Sequence, residues 1–88
     1  VGSVVRSMAG RDQGRLFEVI QDVGADFVMV ANGKLRGMDR LKKKRRKHLK
    51  PTGQTVAPLR DRLAQGGKVE DHEIRSWLEK EEEELVQV

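Results

Sequence analysis

The sequence contains no cysteine and no tyrosine. Without thiols there is no disulfide staple, no thiolate nucleophile and no cysteine-ligated metal site. A chain that uses no cysteine suits a reducing compartment, and a cytoplasmic location is expected. Two phenylalanines and one tryptophan bring the aromatic content to 3%. That is too few for the row of stacked rings that reads single-stranded RNA, or for the aromatic cage of a methyl-lysine reader. No apolar run approaches the ~20 residues of a membrane-spanning helix, so no membrane partner is expected. The opening Val1-Gly2-Ser3-Val4-Val5 lacks the basic start and apolar stretch of a secretory signal peptide, and none is expected. The two histidines, His48 and His72, lie in different segments without HExxH spacing, and there is no GxxxxGK[ST] loop. These absences argue against an enzyme and against a bound cofactor or metal.

What is present is charge, 36% of 88 residues, and it is segregated along the chain. Residues 1–33 carry three basic and four acidic side chains, a net −1. Residues 34–50 carry ten basic and one acidic, a net +9. Residues 51–88 carry five basic and nine acidic, a net −4. A basic block of this density between a neutral and an acidic segment points to a polyanion-binding patch. The core must come mainly from Val, Leu, Ile and Ala, within one small domain bearing at most an appendage.

Ser3–Met8 (SVVRSM) reads as a strand. Ala9–Gly14 (AGRDQG) reads as a loop, with Gly10 and Gly14 as its structural glycines. Arg15–Val23 (RLFEVIQDV) alternates with apolar residues on both faces, as in a strand with neighbours. Phe27–Val30 (FVMV) reads as a buried strand, which places both Phe17 and Phe27 in the core. Asn32-Gly33 is a hairpin signal, since both residues tolerate the positive φ of a tight turn. Leu35–Leu41 would be the returning strand, with Leu35, Met38 and Leu41 inward. A short closing strand is expected at His48–Leu49.

After Gly53 the apolar period changes from about 2 to about 3.6. Val56, Leu59 and Leu63 mark a first helix, with Thr55 as its cap and Pro58 in its first turn; Gly66-Gly67 ends it. Val69–Glu84 reads as a second helix, with Ile74, Trp77 and Leu78 as its stripe. Glu70, Asp71 and Glu73 suit its N-terminal dipole.

Strand, AGRDQGR loop and alternating strand together resemble the KOW motif of large-subunit ribosomal proteins and transcription elongation factors. The motif's glycine falls on Gly14, and its flanking apolar positions on Val4, Val5, Phe17 and Val19. Asn32-Gly33-Lys34, followed by Lys42–Leu49 (KKKRRKHL), is similar to the continuation found in small bacterial KOW proteins. Those are RNA-binding proteins similar to archaeal and eukaryotic-type ribosomal proteins. The resemblance spans about residues 2–50. It implies a mainly β protein: an SH3-like small β-barrel over residues 1–50, a linker at 51–55 and an acidic helical appendage at 56–88. It also implies ribosomal RNA as partner, with ribosomal proteins beside it and a role in translation; a monomer is expected.

The residues expected to meet RNA are Arg11 and Arg15 on the glycine loop, then Arg36 and Arg40. The run Lys42, Lys43, Lys44, Arg45, Arg46 and Lys47 follows, with His48 and Lys50 at its end. Lys and Arg neutralise phosphates and release counterions, so about five such contacts would give a log–log salt slope of roughly −3.5 to −4.5. A protein-interaction adaptor is the alternative, docking a basic partner on the acidic helix through Ile74, Trp77 and Leu78. The tail Glu81–Glu84 folding back onto Lys42–Lys47 would be an autoinhibitory variant of the RNA reading.

Overall fold

The computed structural model describes residues 1–86, with side chains through Glu84. Five strands, β1 (Ser3–Ser7), β2 (Leu16–Val23), β3 (Phe27–Ala31), β4 (Lys42–Arg45) and β5 (Leu49–Thr55), form one antiparallel sheet in the order β4-β3-β2-β1-β5. Two helices follow, α1 (Ala57–Ala64) and α2 (Asp71–Val86). The mainly β class with a helical C-terminal part is therefore observed. The sheet is open: β4 and β5 are its edges, joined in sequence by a 3-10 turn at Arg46–His48.

The open sheet is nevertheless strongly curled. Three strand spacings separate β4 from β1, about 14 Å in a flat sheet. Yet Lys44 Nζ on β4 lies 2.7 Å from Ser7 Oγ on β1, so the sheet wraps around its concave side. That side holds one apolar cluster: Val5, Phe17, Val19, Val28 and Val30, with Leu49 against it. The convex side holds a second: Val4, Leu16, Ile20 and Ala31, covered by Val56, Leu59 of α1, Val69, and Ile74 and Leu78 of α2. β2 lies between the two clusters, which explains why Leu16 to Ile20 are all buried. Ile20 is the extra residue where the β2–β3 register shifts between Val19 and Gln21, and this irregularity bends the strand.

Several expected boundaries change. Residues 51–55 are not a linker but lie within β5, which pairs with β1. Leu35–Leu41 is not a strand. Asn32 does turn the chain, its Oδ1 accepting N–H bonds from Lys34 at 2.9 Å and Arg36 at 3.0 Å. The segment then docks on α2 as a loop: Asp71 Oδ1 accepts the Met38 N–H at 2.7 Å, and Arg75 donates to the Gly33 carbonyl at 2.5 Å. Gly33 has φ +74°, and a Cβ there would sit 2.5 Å from the Asp71 carbonyl oxygen, so only glycine permits this approach. Met38 and Leu41 pack on the core as expected, whereas Leu35 is 74% exposed. Thr55 does not cap α1; Val56 holds that position without a side-chain bond. α2 begins at Asp71 rather than Val69, and the Glu73 carboxylate accepts the Glu70 N–H at 3.2 Å, half of a capping box.

On the helix-facing side of the sheet, a carboxyl breaks the apolar pattern. Glu18 faces the helices between Leu16 and Ile20, is 0% exposed, and neither carboxylate oxygen has a hydrogen-bond partner. Glu81, two turns along α2 from Ile74, is turned toward the same interface, with Oε2 also buried and unpartnered. Burial first, and the neighbouring Glu81 second, push the Glu18 pKa up to about 8. Burial, and then Glu84, raise Glu81 as well. Glu18 therefore folds as a neutral acid.

The unfolded chain ionises Glu18 near the ordinary glutamate value of 4.5, while the folded chain keeps the proton to about 8. Stability from this group is full below the lower value and is lost as pH rises through the upper one. Thermal melts of Glu18→Gln and the unaltered protein should coincide near pH 4 and diverge by pH 8, with the variant the more stable. Parallel curves across that range would contradict a buried neutral Glu18.

Candidate nucleic-acid interface

The basic run is sorted by the strand that carries it. β4 pairs with β3 in the register Phe27–Arg45, Val28–Lys44, Met29–Lys43 and Val30–Lys42. Successive side chains point to opposite faces, so Lys42 and Lys44 share the concave side with Val28 and Val30, while Lys43 and Arg45 point outward.

The two inward lysines are held by Asp12. Lys44 is only 7% exposed. Its Nζ donates to Asp12 Oδ1 at 2.8 Å, Ser7 Oγ at 2.7 Å and the Ala9 carbonyl at 3.3 Å. Lys42 Nζ donates to Asp12 Oδ2 at 2.8 Å, and Ser7 Oγ donates to Asp12 Oδ1 at 2.8 Å. Burial alone would raise the Asp12 pKa. The hydrogen bonds from Lys42, Lys44 and Ser7, and the charge of Lys44, outweigh it and hold the carboxyl well below the usual range. Lys44 cannot reach a phosphate without breaking this network, and Lys42 is half committed to it. A third cation of the run, Arg46, pairs with Asp22 at 2.8 Å on the surface.

The glycine loop is itself ordered. Gly14 has φ +88° with open space where a Cβ would lie, so its role is the left-handed backbone rather than a close approach. Its N–H donates to the Ser7 carbonyl at 2.7 Å, and its own carbonyl accepts from Arg6 at 2.6 Å. This leaves Arg11 and Arg15 exposed on a loop that Asp12 fixes to β4.

Arg15 does not join the basic run. It lines a groove of about 470 Å³ together with Asn32 and Lys34 of the loop after β3 and Arg75, Leu78, Glu79 and Glu82 of α2. Lys34 and Arg75 were not among the residues expected from sequence. Arg36 and Arg40 are exposed on the loop between β3 and β4, Lys47 on the 3-10 turn and Lys50 on β5. His48 is half-buried, and its carbonyl accepts the Met8 N–H at 2.8 Å. Among the described residues, no ion pair joins Glu79–Glu84 to Lys42–Lys47. Nor, among them, do three His, Asp or Glu side chains gather as a metal-ligating group.

Phe27 is not a core residue. It is half-buried and belongs to neither apolar cluster. Lys43 Nζ lies 4.5 Å and Arg45 Cζ 5.2 Å from its ring centroid, a double cation–π contact. The chain matches no protein-family model and no curated protein.

Removing one partner from a buried ion pair leaves an uncompensated charge and costs about 3–5 kcal/mol. Asp12→Asn should lower stability near neutral pH by about 3 kcal/mol in denaturant titrations. It should also remove an acid limb. The depressed Asp12 carboxyl stabilises the fold above its unfolded pKa of 3.8, and that contribution is lost as pH falls below it. An unchanged acid limb in the variant would assign that limb to other carboxylates.

Proposed function

We propose that this chain is an RNA-binding protein that grips structured RNA by its phosphates. The observation that carries this reading is the cation arrangement after internal pairing is counted. Lys42, Lys44 and Arg46 have carboxylate partners. Lys43, Arg45 and Lys47 are exposed and, among the described residues, have none. Lys43 and Arg45 project from one face of a strand whose inward lysines are anchored, so they stand pre-placed rather than on a flexible tail. Pre-placed cations lose less conformational freedom when they meet phosphate.

The KOW reading supplies the partner class. A strand, a loop turning back through a left-handed Gly14, and a second strand paired with the first are the parts that motif requires. A curled five-stranded sheet with a 3-10 turn between its last two strands fits an SH3-like half-barrel. On that resemblance the RNA is ribosomal, met in the cytoplasm during ribosome assembly or translation, with ribosomal proteins as neighbours.

The adaptor reading has less support. Ile74 and Leu78, its proposed anchors, are buried on the protein's own sheet, and Trp77 packs against the same cluster with Arg62 5.8 Å from its ring centroid.

Each phosphate contact contributes about 0.9 to the slope of log K against log salt on a duplex. The double variant Lys43→Gln/Arg45→Gln should therefore lower that slope by about 2 on structured ribosomal RNA. Lys42→Gln, whose ammonium Asp12 already holds, should leave it nearly unchanged. An intact protein that binds RNA without salt dependence, or not at all, would move the adaptor ahead.

A further inference from the structure

The convex face of the sheet is covered by the helices only in part. Beyond them, two cross-strand rows lie side by side on β2, β3 and β4: Val23, Phe27 and Arg45 in one, Gln21, Met29 and Lys43 in the other. Val23, Phe27 and Met29 are half-buried, and none belongs to either apolar cluster. Gln21, Lys43 and Arg45 are exposed, and the two rows contain no acidic side chain. Asp22, between Gln21 and Val23, belongs to the opposite side, where it pairs with Arg46.

We propose that this face is a stacking site for a single unpaired nucleobase of a structured RNA. Phe27 provides the platform, with Lys43 and Arg45 meeting the phosphates on either side. The inference rests on the RNA-binding reading and adds to it a preference for an unpaired nucleotide. Three features carry it. The ring is available at the surface although it is the only phenylalanine outside the core, Phe17 being 1% exposed. Its π-face already attracts two cations, at 4.5 and 5.2 Å. Both are long side chains that can swing from the ring to a phosphate as a base takes their place, keeping their charge compensated throughout. The third feature is the carboxamide of Gln21, which offers a donor and an acceptor to a base edge on the same face.

One ring provides one stacking position. A continuous single strand, which needs successive aromatics, is not matched to this face. A bulged or looped-out nucleotide within a folded RNA is, because the duplex on each side presents phosphates to the surrounding cations. The all-positive rows favour a polyanion over an acidic-poor protein surface, whose contact would leave both cations desolvated and unpaired.

The test compares two blunt-ended RNA duplexes that differ by one bulged nucleotide, with the full chain and with Phe27→Leu and Phe27→Trp. The intact protein should favour the bulged duplex about tenfold, in line with the contribution of one base–aromatic stack. Phe27→Leu should lose that preference while keeping its affinity and salt slope for the fully paired duplex. Phe27→Trp should retain it, and its added indole fluorescence should be quenched by the bulged RNA alone. Equal affinity of the intact protein for both duplexes would overturn the stacking site and leave phosphate binding standing. So would an equal loss on both duplexes in Phe27→Leu. Binding to neither duplex would overturn the RNA reading itself, and the stacking site with it.

Discussion

Asp12 stands in a loop of otherwise exposed polar residues, yet it receives two ammonium groups, each at 2.8 Å, and a serine hydroxyl. The rest of the molecule depends on that contact. β4 is four residues, KKKR, with no apolar side chain to bury. Hydrophobic burial cannot select its register, and a one-residue slip would exchange its faces. The carboxylate selects it instead: Lys42 and Lys44 turn inward because their counter-charge is there. Lys43 and Arg45 turn outward as a consequence. The same contact draws the glycine loop over the concave cluster and curls a sheet whose edges share no ladder.

This arrangement also explains which parts could be read from the chain. β1, β2 and β3 were legible because Val-rich alternation and the glycine loop are local signals. The helices were legible from the change of period after Gly53. β4 was not, since its stabilising partner lies thirty residues upstream of Lys42. β5 was hidden because LKPTGQT contains Pro51 and Gly53, which are tolerated only because the strand is an edge with an irregular register. The loop after Asn32 read as a strand because the residues that hold it, Asp71 and Arg75, belong to a helix far along the chain.

The candidate site was legible as composition and not as geometry. A +9 segment is the basis for proposing a polyanion surface, but the alternation of β4 and the Arg46–Asp22 pair are what separate its paired from its unpaired cations. Phe27 illustrates the same limit. FVMV is uniformly apolar and reads as buried, whereas the period of two sends Val28 and Val30 inward and leaves Phe27 and Met29 outside. Glu18 was the opposite case. It sits in the inward set of β2 beside Leu16 and Ile20, and its charge disguised a core position that burial holds neutral.

The open sheet has one further consequence at β4. An edge strand exposes unpaired backbone donors and acceptors, which are a template for a strand from another molecule. Here that edge consists of lysines and an arginine, so two such edges approaching each other meet strong mutual repulsion before any backbone bond can form. The charges that the proposed RNA contact would use are thus the charges that keep the β4 backbone from being extended by a second strand. On the proposed function, resistance to aggregation and affinity for phosphate become one property of this strand, and substituting its outward cations would alter both together.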